Sequence, residues 1–421
     1  MAGNDSEGLY YGVIKAPEQF WLKWKDKAGD PCNEPKFNKR DFPNLLERSL
    51  LQFLDPAFLL EFIHDFVLFD GGIKKLARPN QYFAIKAAQE RIKKREGGII
   101  WECQGSGKSI IMVLLAQWIK EHMNDNPRIV IVTDREELDG QMTTGFENTD
   151  ETPMRASTKK ELIDNLDEVS PSLICTLVHK FGAGNKNFEA VKVDDKKSKR
   201  TVTEYFEDLA KELPVGFKTK GNIYVFVDEC HRTQGGVLHQ AMKKILGENA
   251  MIIGFTGTPI LKNEKKASLK LFGSFIHTYK YDEGVADGVV LDLRYKARDV
   301  EQFITDQDSI DEIFDSISEG LNDKAKEELK GRWATLQKLY SSNDRIQKIV
   351  ADICKYMLTI PNLKSGLGNA ILIANGIYDA YKYYSVFQSK AGLKNHVAVI
   401  TSYEPPAEFD DIKEGFLLMM N

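Results

Sequence analysis

Two short segments of the sequence carry residue types suited to phosphate chemistry. The first is Gln104-Gly105-Ser106-Gly107-Lys108-Ser109, which follows the apolar run Ile99-Ile100-Trp101 and opens onto a second apolar stretch, Ile110 to Ile119. Strand, glycine-rich bend and helix together let consecutive backbone N–H groups converge on phosphate oxygens at a helix N-terminus. In that setting Lys108 would neutralise the β and γ phosphates of a nucleotide, and Ser109 would ligate Mg2+. The full pattern G-x-x-x-x-G-K-[ST] wants glycine where Glu102 stands. Taken alone, the segment also fits a glycine-rich turn with a solvated lysine.

The second segment is Asp228-Glu229, 120 residues beyond Lys108 and delivered by the all-apolar run Ile223 to Val227. Ionised carboxylates are costly to desolvate unless a cation awaits them, and Mg2+ is the natural candidate. Asp228 would hold the metal, directly or through water, while Glu229 would orient and deprotonate an attacking water. Standing alone, the pair would read as a helix N-cap with solvated charge; the phosphate loop tips the reading to the metal. His231 is placed to hydrogen-bond across to Gly254-Phe255-Thr256-Gly257-Thr258-Pro259. In that turn the hydroxyls of Thr256 and Thr258 are suited to sensing the γ-phosphate, although the turn by itself is ordinary. A zinc reading of Cys230 and His231 lacks a second ligand pair at suitable spacing.

These segments need elements to hold them. Short β-branched or apolar runs at 99–101, 129–132, 173–177, 223–227 and 251–255 alternate with helical segments. The pattern predicts an α/β fold: a mostly parallel sheet covered on both faces, with ligands at the strand C-terminal ends. Before it, residues 1–40 look too short for a core of their own and are expected to brace something else. Apolar spacing over 43–69, broken by Asp55-Pro56, predicts two packed helices. The polar run at 184–205 reads as a solvated excursion or, less favourably, a DNA-touching loop. A helical stretch is expected over 306–358, followed by strands at 370–373 and 397–401. The resulting expectation is three regions: a linker and helical segment over 1–75, an ATP-binding domain over 76–295, and over 296–421 a helical insertion with the start of a second, truncated α/β domain.

Composition bounds the class. The chain has 421 residues, 42% hydrophobic and 28% charged, enough for two or three cores and incompatible with a disordered or fibrous protein. With 57 basic and 62 acidic residues the net charge is −5, so contact with a polyanion would have to come from a local patch. The five cysteines are scattered singly, which argues against a disulfide framework and fits a reducing cytoplasm. No apolar run suits a signal peptide or a membrane-spanning helix.

The ordered set Gln-Gly-Ser-Gly-Lys-Ser (104–109), Val-Thr-Asp-Arg-Glu-Glu-Leu-Asp (132–139), Thr-Leu-Val-His-Lys-Phe (176–181), Asp-Glu-Cys-His-Arg-Thr-Gln (228–234) and Phe-Thr-Gly-Thr-Pro (255–259) resembles motifs I, Ia, Ib, II and III of superfamily 2 helicases. The His-Arg-Thr-Gln-Gly extension, the Thr-Asp-Arg of motif Ia and Ala-Asp-Gly at 286–288 look like the motor (R) subunit of type I restriction endonucleases. This resemblance runs from about residue 8 to the end. It implies RecA-like domains, ATP and Mg2+ as ligands, and ATP-driven translocation along double-stranded DNA beside a nuclease domain, docked on methyltransferase and specificity subunits. It also implies that Gln81, within Arg78-x-x-Gln81-x-x-Ala84, hydrogen-bonds the adenine, and that Arg135, Thr176 and Lys180 meet the DNA backbone. Arg135, followed by Glu136 and Glu137, is equally compatible with a surface ion pair.

Complete subunits of that family are far longer, and neither the nuclease signature nor the later motifs with the trans-acting arginine are found here. An excised piece is therefore the expectation, with weak ATP binding and little DNA-stimulated turnover, since such an arginine is worth about 10³ to 10⁵ in rate. Two other classes stay open at this level: a different superfamily 2 DNA or RNA motor, and a non-catalytic nucleotide-binding scaffold.

Overall fold

The computed structural model describes residues 1–25, 44–181 except 125, 213–231, 236–258 except 248, 268–299 except 270 and 294, 343–389 except 367, 396–401 and 416–418. The polar run at 184–205 and the first part, 306–342, of the helical stretch expected over 306–358 lie outside the described residues. The chain divides into two compact units, Met1–Leu293 and Arg294–Asn421.

The first unit opens with a small antiparallel sheet, β1 (Ala2–Asn4), β2 (Gly8–Tyr11) and β3 (Leu22–Lys23). Two helices follow, α1 (Leu45–Phe53) and α2 (Pro56–Asp65), then a hairpin of β4 (Val67–Asp70) and β5 (Ile73–Leu76), then α3 (Pro79–Lys93). The break between α1 and α2 has a local cause. Asp55 accepts hydrogen bonds from the Ala57 and Phe58 N–H groups, and Pro56 occupies the first helical turn, where its missing N–H costs nothing. Tyr11, Trp24, Phe53, Phe62, Phe66, Tyr82 and Phe83 are buried in one aromatic cluster. Its polar tips are satisfied: Tyr11 Oη donates to the Ala77 carbonyl at 2.7 Å and Trp24 Nε1 to Gln52 Oε1 at 3.0 Å. The segment expected to be a linker is thus packed onto α3, and onto the same core as the sheet.

That sheet has seven strands in the order β12-β6-β11-β10-β7-β9-β8, with every neighbouring pair parallel. They are β6 (Gly98–Glu102), β7 (Pro127–Thr133), β8 (Met154–Ala156), β9 (Leu173–Leu177), β10 (Asn222–Val227), β11 (Met251–Thr256) and β12 (Phe275–Tyr279). The alternation of side chains sends Ile100, Ile131, Phe226 and Phe255 into the core beneath α3, α4 (Lys108–His122) and α5 (Glu136–Glu147). Ile99, Val132, Val227 and Ile252 go to the opposite core, against α6 (Lys159–Asp167) and α7 (Gly236–Leu246). Strands covered on both faces read as continuous apolar runs, which is why the sequence shows no alternation at them. A short helix, α8 (Tyr281–Ala286), follows β12.

In the second unit α9 (Asn343–Thr359) and α11 (Ile377–Gln388) share a core of Ile346, Val350, Tyr383 and Phe387, with a short α10 (Pro361–Lys364) between them and a parallel pair, β13 (Val399–Thr401) and β14 (Phe416–Leu418). The strand expected at 370–373 is corrected: these residues belong to no strand, with Ile371 90% and Ile373 89% exposed. A β-branched run becomes a strand only when a neighbour takes up its backbone N–H and C=O groups, and no described segment does so.

One buried cation holds the β7 side of the sheet. Arg128 is fully buried, and its guanidinium donates to the backbone carbonyls of Pro171, Leu166, Glu168, Lys220 and Asn165 at 2.6–3.2 Å. Three of these acceptors lie at the C-terminal end of α6, the negative end of its dipole, so the charge is met without a carboxylate. Arg128→Met should lower the unfolding free energy by about 3 kcal/mol in urea titration, because it orphans several buried carbonyls at once. A loss below about 0.5 kcal/mol, the range of ordinary surface changes, would show that those carbonyls find other partners.

Candidate functional site

Strands β6 and β10 flank β11. Neighbouring strands lie about 4.8 Å apart, so the turns after β6 and β10 open on the same edge about 10 Å from each other, with the turn after β11 between them. This adjacency brings the two segments, remote in sequence, to one place.

The turn after β6 bends through two left-handed positions, Gly105 (φ +87°) and Gly107 (φ +93°). Gly107 has a second reason to lack a side chain: a Cβ there would stand 2.3 Å from Gln81 Nε2. Ser106 turns inward, its hydroxyl donating to the Cys103 carbonyl at 2.7 Å, while Gln104 and Gly105 are exposed. α4 starts at Lys108, so the first N–H groups of that helix have no intrahelical acceptor and face the turn. Ser109, its second residue, is exposed.

Opposite stands the acid pair. Lys108 Nζ lies 3.7 Å from Glu229 Oε1, with the two side chains 12% and 21% exposed. Asp228 is 8% exposed; burial first, and then the Glu229 carboxylate, push its carboxyl above the ordinary range, while Lys108 pulls it part of the way back. Glu229 holds a left-handed backbone (φ +46°), which costs a non-glycine residue about 1–2 kcal/mol. Its N–H donates to Asp228 Oδ1 at 3.0 Å. A hard divalent cation fits this donor set. A buried carboxylate only partly compensated by one ammonium, on the same sheet edge as a helix start that carries an exposed serine hydroxyl, offers oxygen ligands of the kind Mg2+ takes with a nucleotide's phosphates.

The third turn closes the site. His231 Nδ1 is 3.0 Å from Thr256 Oγ1 and 3.4 Å from Glu229 Oε2. The Thr258 N–H donates to Thr256 Oγ1 at 3.3 Å, and the Gly257 N–H points at Glu229 Oε2 at 3.5 Å. A Cβ on Gly257 would stand 2.6 Å from Lys108 Nζ, so this glycine keeps the ammonium's place open. Thr256 is fully buried and Thr258 is exposed, placing one hydroxyl inside the turn and the other at its surface.

The remaining sequence candidates fall elsewhere. Gln81 is buried beside the phosphate loop with its amide engaged on both sides: Nε2 donates to the Ser106 and Gly107 carbonyls at 3.1 and 3.3 Å, and Oε1 accepts from the Arg78 N–H at 2.9 Å. Arg135 is exposed at the N-cap of α5, and Lys180 is half-buried in the turn after β9. Thr176 is corrected as a DNA contact: it is fully buried within β9, and its hydroxyl has no partner among the described residues. Sequence inspection missed Asn80 and His277, which hold the buried Glu102 carboxylate at the foot of the phosphate loop. The available signal was Glu102 itself, a carboxylate ending an apolar strand where the loop pattern wants glycine. Away from this site, His64, Asp65 and Glu121 cluster within reach of one another. Glu121 lies near the end of α4, about 20 Å along that helix from Lys108, and both His64 nitrogens face carboxylates. No helix among the described residues is long and apolar enough to cross a membrane.

Comparison with known proteins adds family information. The sequence model of the SWI2/SNF2 ATPase family matches residues 80–327, more than half of the chain. A putative type I restriction enzyme MjaIXP endonuclease subunit of Methanocaldococcus jannaschii is 31% identical over 324 residues, covering 74% of this chain and 28% of that protein. The type I restriction enzyme HindI endonuclease subunit of Haemophilus influenzae is 29% identical over 376 residues, covering 82% of this chain and 32% of that protein. The chain thus spans about a third of the length of the curated relatives it matches. Among solved structures, the DNA-bound Type ISP restriction-modification enzyme LlaBIII matches with TM-score 0.35 and 16% identity over 50% of this chain and 15% of that one. The UvsW helicase of bacteriophage T4 matches with TM-score 0.33 and 15% identity over 53% of this chain and 67% of that one.

The raised Asp228 carboxyl has a stability consequence. A carboxyl whose folded pKa exceeds its unfolded value favours the fold at low pH and loses that contribution as pH rises through the folded value. Without divalent metal, Asp228→Asn should therefore melt higher than wild type at pH 8, and the gain should shrink to nothing as pH falls into the ordinary carboxylate range. Thermal denaturation in EDTA checks this; a variant that melts lower than wild type at pH 8 contradicts the burial argument.

Proposed function

The chain belongs to the SWI2/SNF2 ATPase family, and from that premise we propose that it is the motor part of a type I restriction endonuclease R subunit, an ATP-driven translocase on double-stranded DNA. The observation that carries the proposal is the meeting of Lys108, the Asp228-Glu229 pair and the Thr256–Thr258 turn on one edge of the sheet. Identity to type I restriction endonuclease subunits, extending across about three quarters or more of the chain, supports the restriction assignment.

In this reading the backbone N–H groups of Gly105 to Ser109 cradle the phosphates, and Lys108 neutralises the β and γ groups. Ser109 and Asp228 would hold Mg2+, which would supply positive charge to the phosphates. Glu229 orients the attacking water and accepts its proton; its strained backbone and its contact with Lys108 fix the carboxylate's direction. The loss of the γ-phosphate is felt by Thr258 and Thr256 and passed through His231 back to Glu229, a chain of contacts already made here. Gln81 would take the adenine, and a purine edge would compete with the loop carbonyls for the same amide, tying base recognition to loop position. Arg135 and Lys180 would meet DNA phosphates. In the complete complex the motor would work in the cytoplasm with methyltransferase and specificity subunits, its translocation leading to cleavage.

Two measurements test the proposal. Lys108→Ala should weaken binding of a fluorescent N-methylanthraniloyl ATP with Mg2+ by at least about tenfold, and Glu229→Gln should keep binding while lowering ATP turnover by about 10²-fold or more. Wild-type hydrolysis rates in Glu229→Gln would reject the site. Double-stranded DNA affinity should fall steeply with salt, and Arg135→Ala or Lys180→Ala should each reduce the log–log slope by about one. A salt-insensitive complex would reject the DNA contacts.

A further inference from the structure

The departure of this phosphate loop from its pattern has a structural counterpart. Glu102, the last residue of β6, is fully buried, and both of its carboxylate oxygens are engaged. Asn80 Nδ2 donates to Oε2 at 2.8 Å from the first turn of α3, and His277 Nδ1 donates to Oε1 at 2.9 Å from β12. Asn80 and His277 are themselves 5% and 7% exposed. A buried carboxylate between an amide and an imidazole is an expensive way to fill space, since well-packed apolar side chains of similar volume would cost less. The expense is visible in His277 Nε2, which is buried without a partner among the described residues.

The cluster gains directional hold at the one place where the loop starts. The residue after Asn80 is Gln81, which donates to the carbonyls of Ser106 and Gly107. Two successive residues of α3 therefore grip the phosphate loop at both ends: Asn80 at Glu102, where the chain leaves β6, and Gln81 at Ser106 and Gly107, where it enters α4. Glycine at position 102 would offer α3 no side chain to grip.

We infer that Asn80, Glu102 and His277 form a positioning clamp for the phosphate loop, setting its spacing from α3 and thereby its affinity for the phosphates of a nucleoside di- or triphosphate. The inference rests on the nucleotide site proposed above and adds residues that touch no ligand. Asn80 and His277 act only through Glu102, and Glu102 only through the backbone of the loop it begins.

The experiment is a titration of the purified chain with N-methylanthraniloyl ADP and Mg2+, with a thermal midpoint measured for every variant. Asn80→Ala and Glu102→Ala should each weaken binding by about fivefold to tenfold at a temperature where both remain folded, the worth of one buried hydrogen bond. The Asn80→Ala/Glu102→Ala double variant should bind no more weakly than Glu102→Ala alone, because both act through one contact. Glu102→Gln, which keeps the acceptor for Asn80, should recover most of the loss. If Glu102→Ala does not fold, Asn80→Ala and His277→Gln carry the test, each expected to lose affinity at a temperature where its own melting curve shows it folded. Affinities within twofold of wild type, or additive losses in the double variant, overturn the clamp. Failure of the underlying site looks different: the wild-type chain would not bind the nucleotide, or Lys108→Ala would bind it as well as wild type.

Discussion

A bend that binds anions and a pair of carboxylates can serve one ligand only if the strands carrying them are close neighbours, and here β11 alone separates them. The parallel sheet satisfies that constraint in a particular way. All strands point the same way, so every turn after a strand opens on one edge, and strand order decides which turns share a ligand. With β6 and β10 on either side of β11, the lysine, the acids and the threonine turn meet. A different order with the same strands would scatter them.

The remainder of the first unit serves to keep that edge rigid. Both faces of the sheet are sealed by separate apolar cores, so the strands have no freedom to shear. On one side Arg128 ties the start of β7 to the end of α6 and to the chain before β10. On the other, the aromatic cluster of Tyr11, Trp24, Phe53 and Phe62 presses on Tyr82 and Phe83 of α3, the helix whose first turn grips the phosphate loop. The N-terminal residues thus reach the site through packing: they back the helix that holds the loop. Against this rigid frame the site itself carries local cost, in the left-handed Glu229 and the desolvated Asp228, which the fold tolerates because its own packing over-determines both positions.

Much of this was readable before any coordinates. The strands at β6, β7, β9, β10 and β11 announce themselves as apolar runs because strands buried on both faces have no polar side to show, and each observed strand extends the expected run by no more than two residues at either end. The break between α1 and α2 is written in Asp55-Pro56. By contrast β8, with three residues, and β12, interrupted by the buried His277, lack a run long enough to register, and β1 to β3 form a sheet anchored by aromatic contacts of Tyr11 and Trp24 with residues 29 to 59 positions away. The run at 370–373 shows the converse: a good β-forming composition that no described segment pairs with is left exposed.

Residue types and their spacing already laid out the chemistry on offer. Glycine spacing fixes where the backbone can bend through positive φ, a lysine at a helix start sets where an anion could be neutralised, and a carboxylate pair ending an apolar run sets where a cation could be accommodated. Those are local properties, carried by residue type and by neighbours a few positions away. Which distant partners complete each group depended on the three-dimensional arrangement: that Gln81 spends its amide on the loop, that Thr176 is buried within its strand, and that Glu102, where the pattern has glycine, meets Asn80 and His277. Strand order and helix docking set these pairings, and both depend on the sum of many weak apolar contacts across the chain, which no short stretch of residues contains.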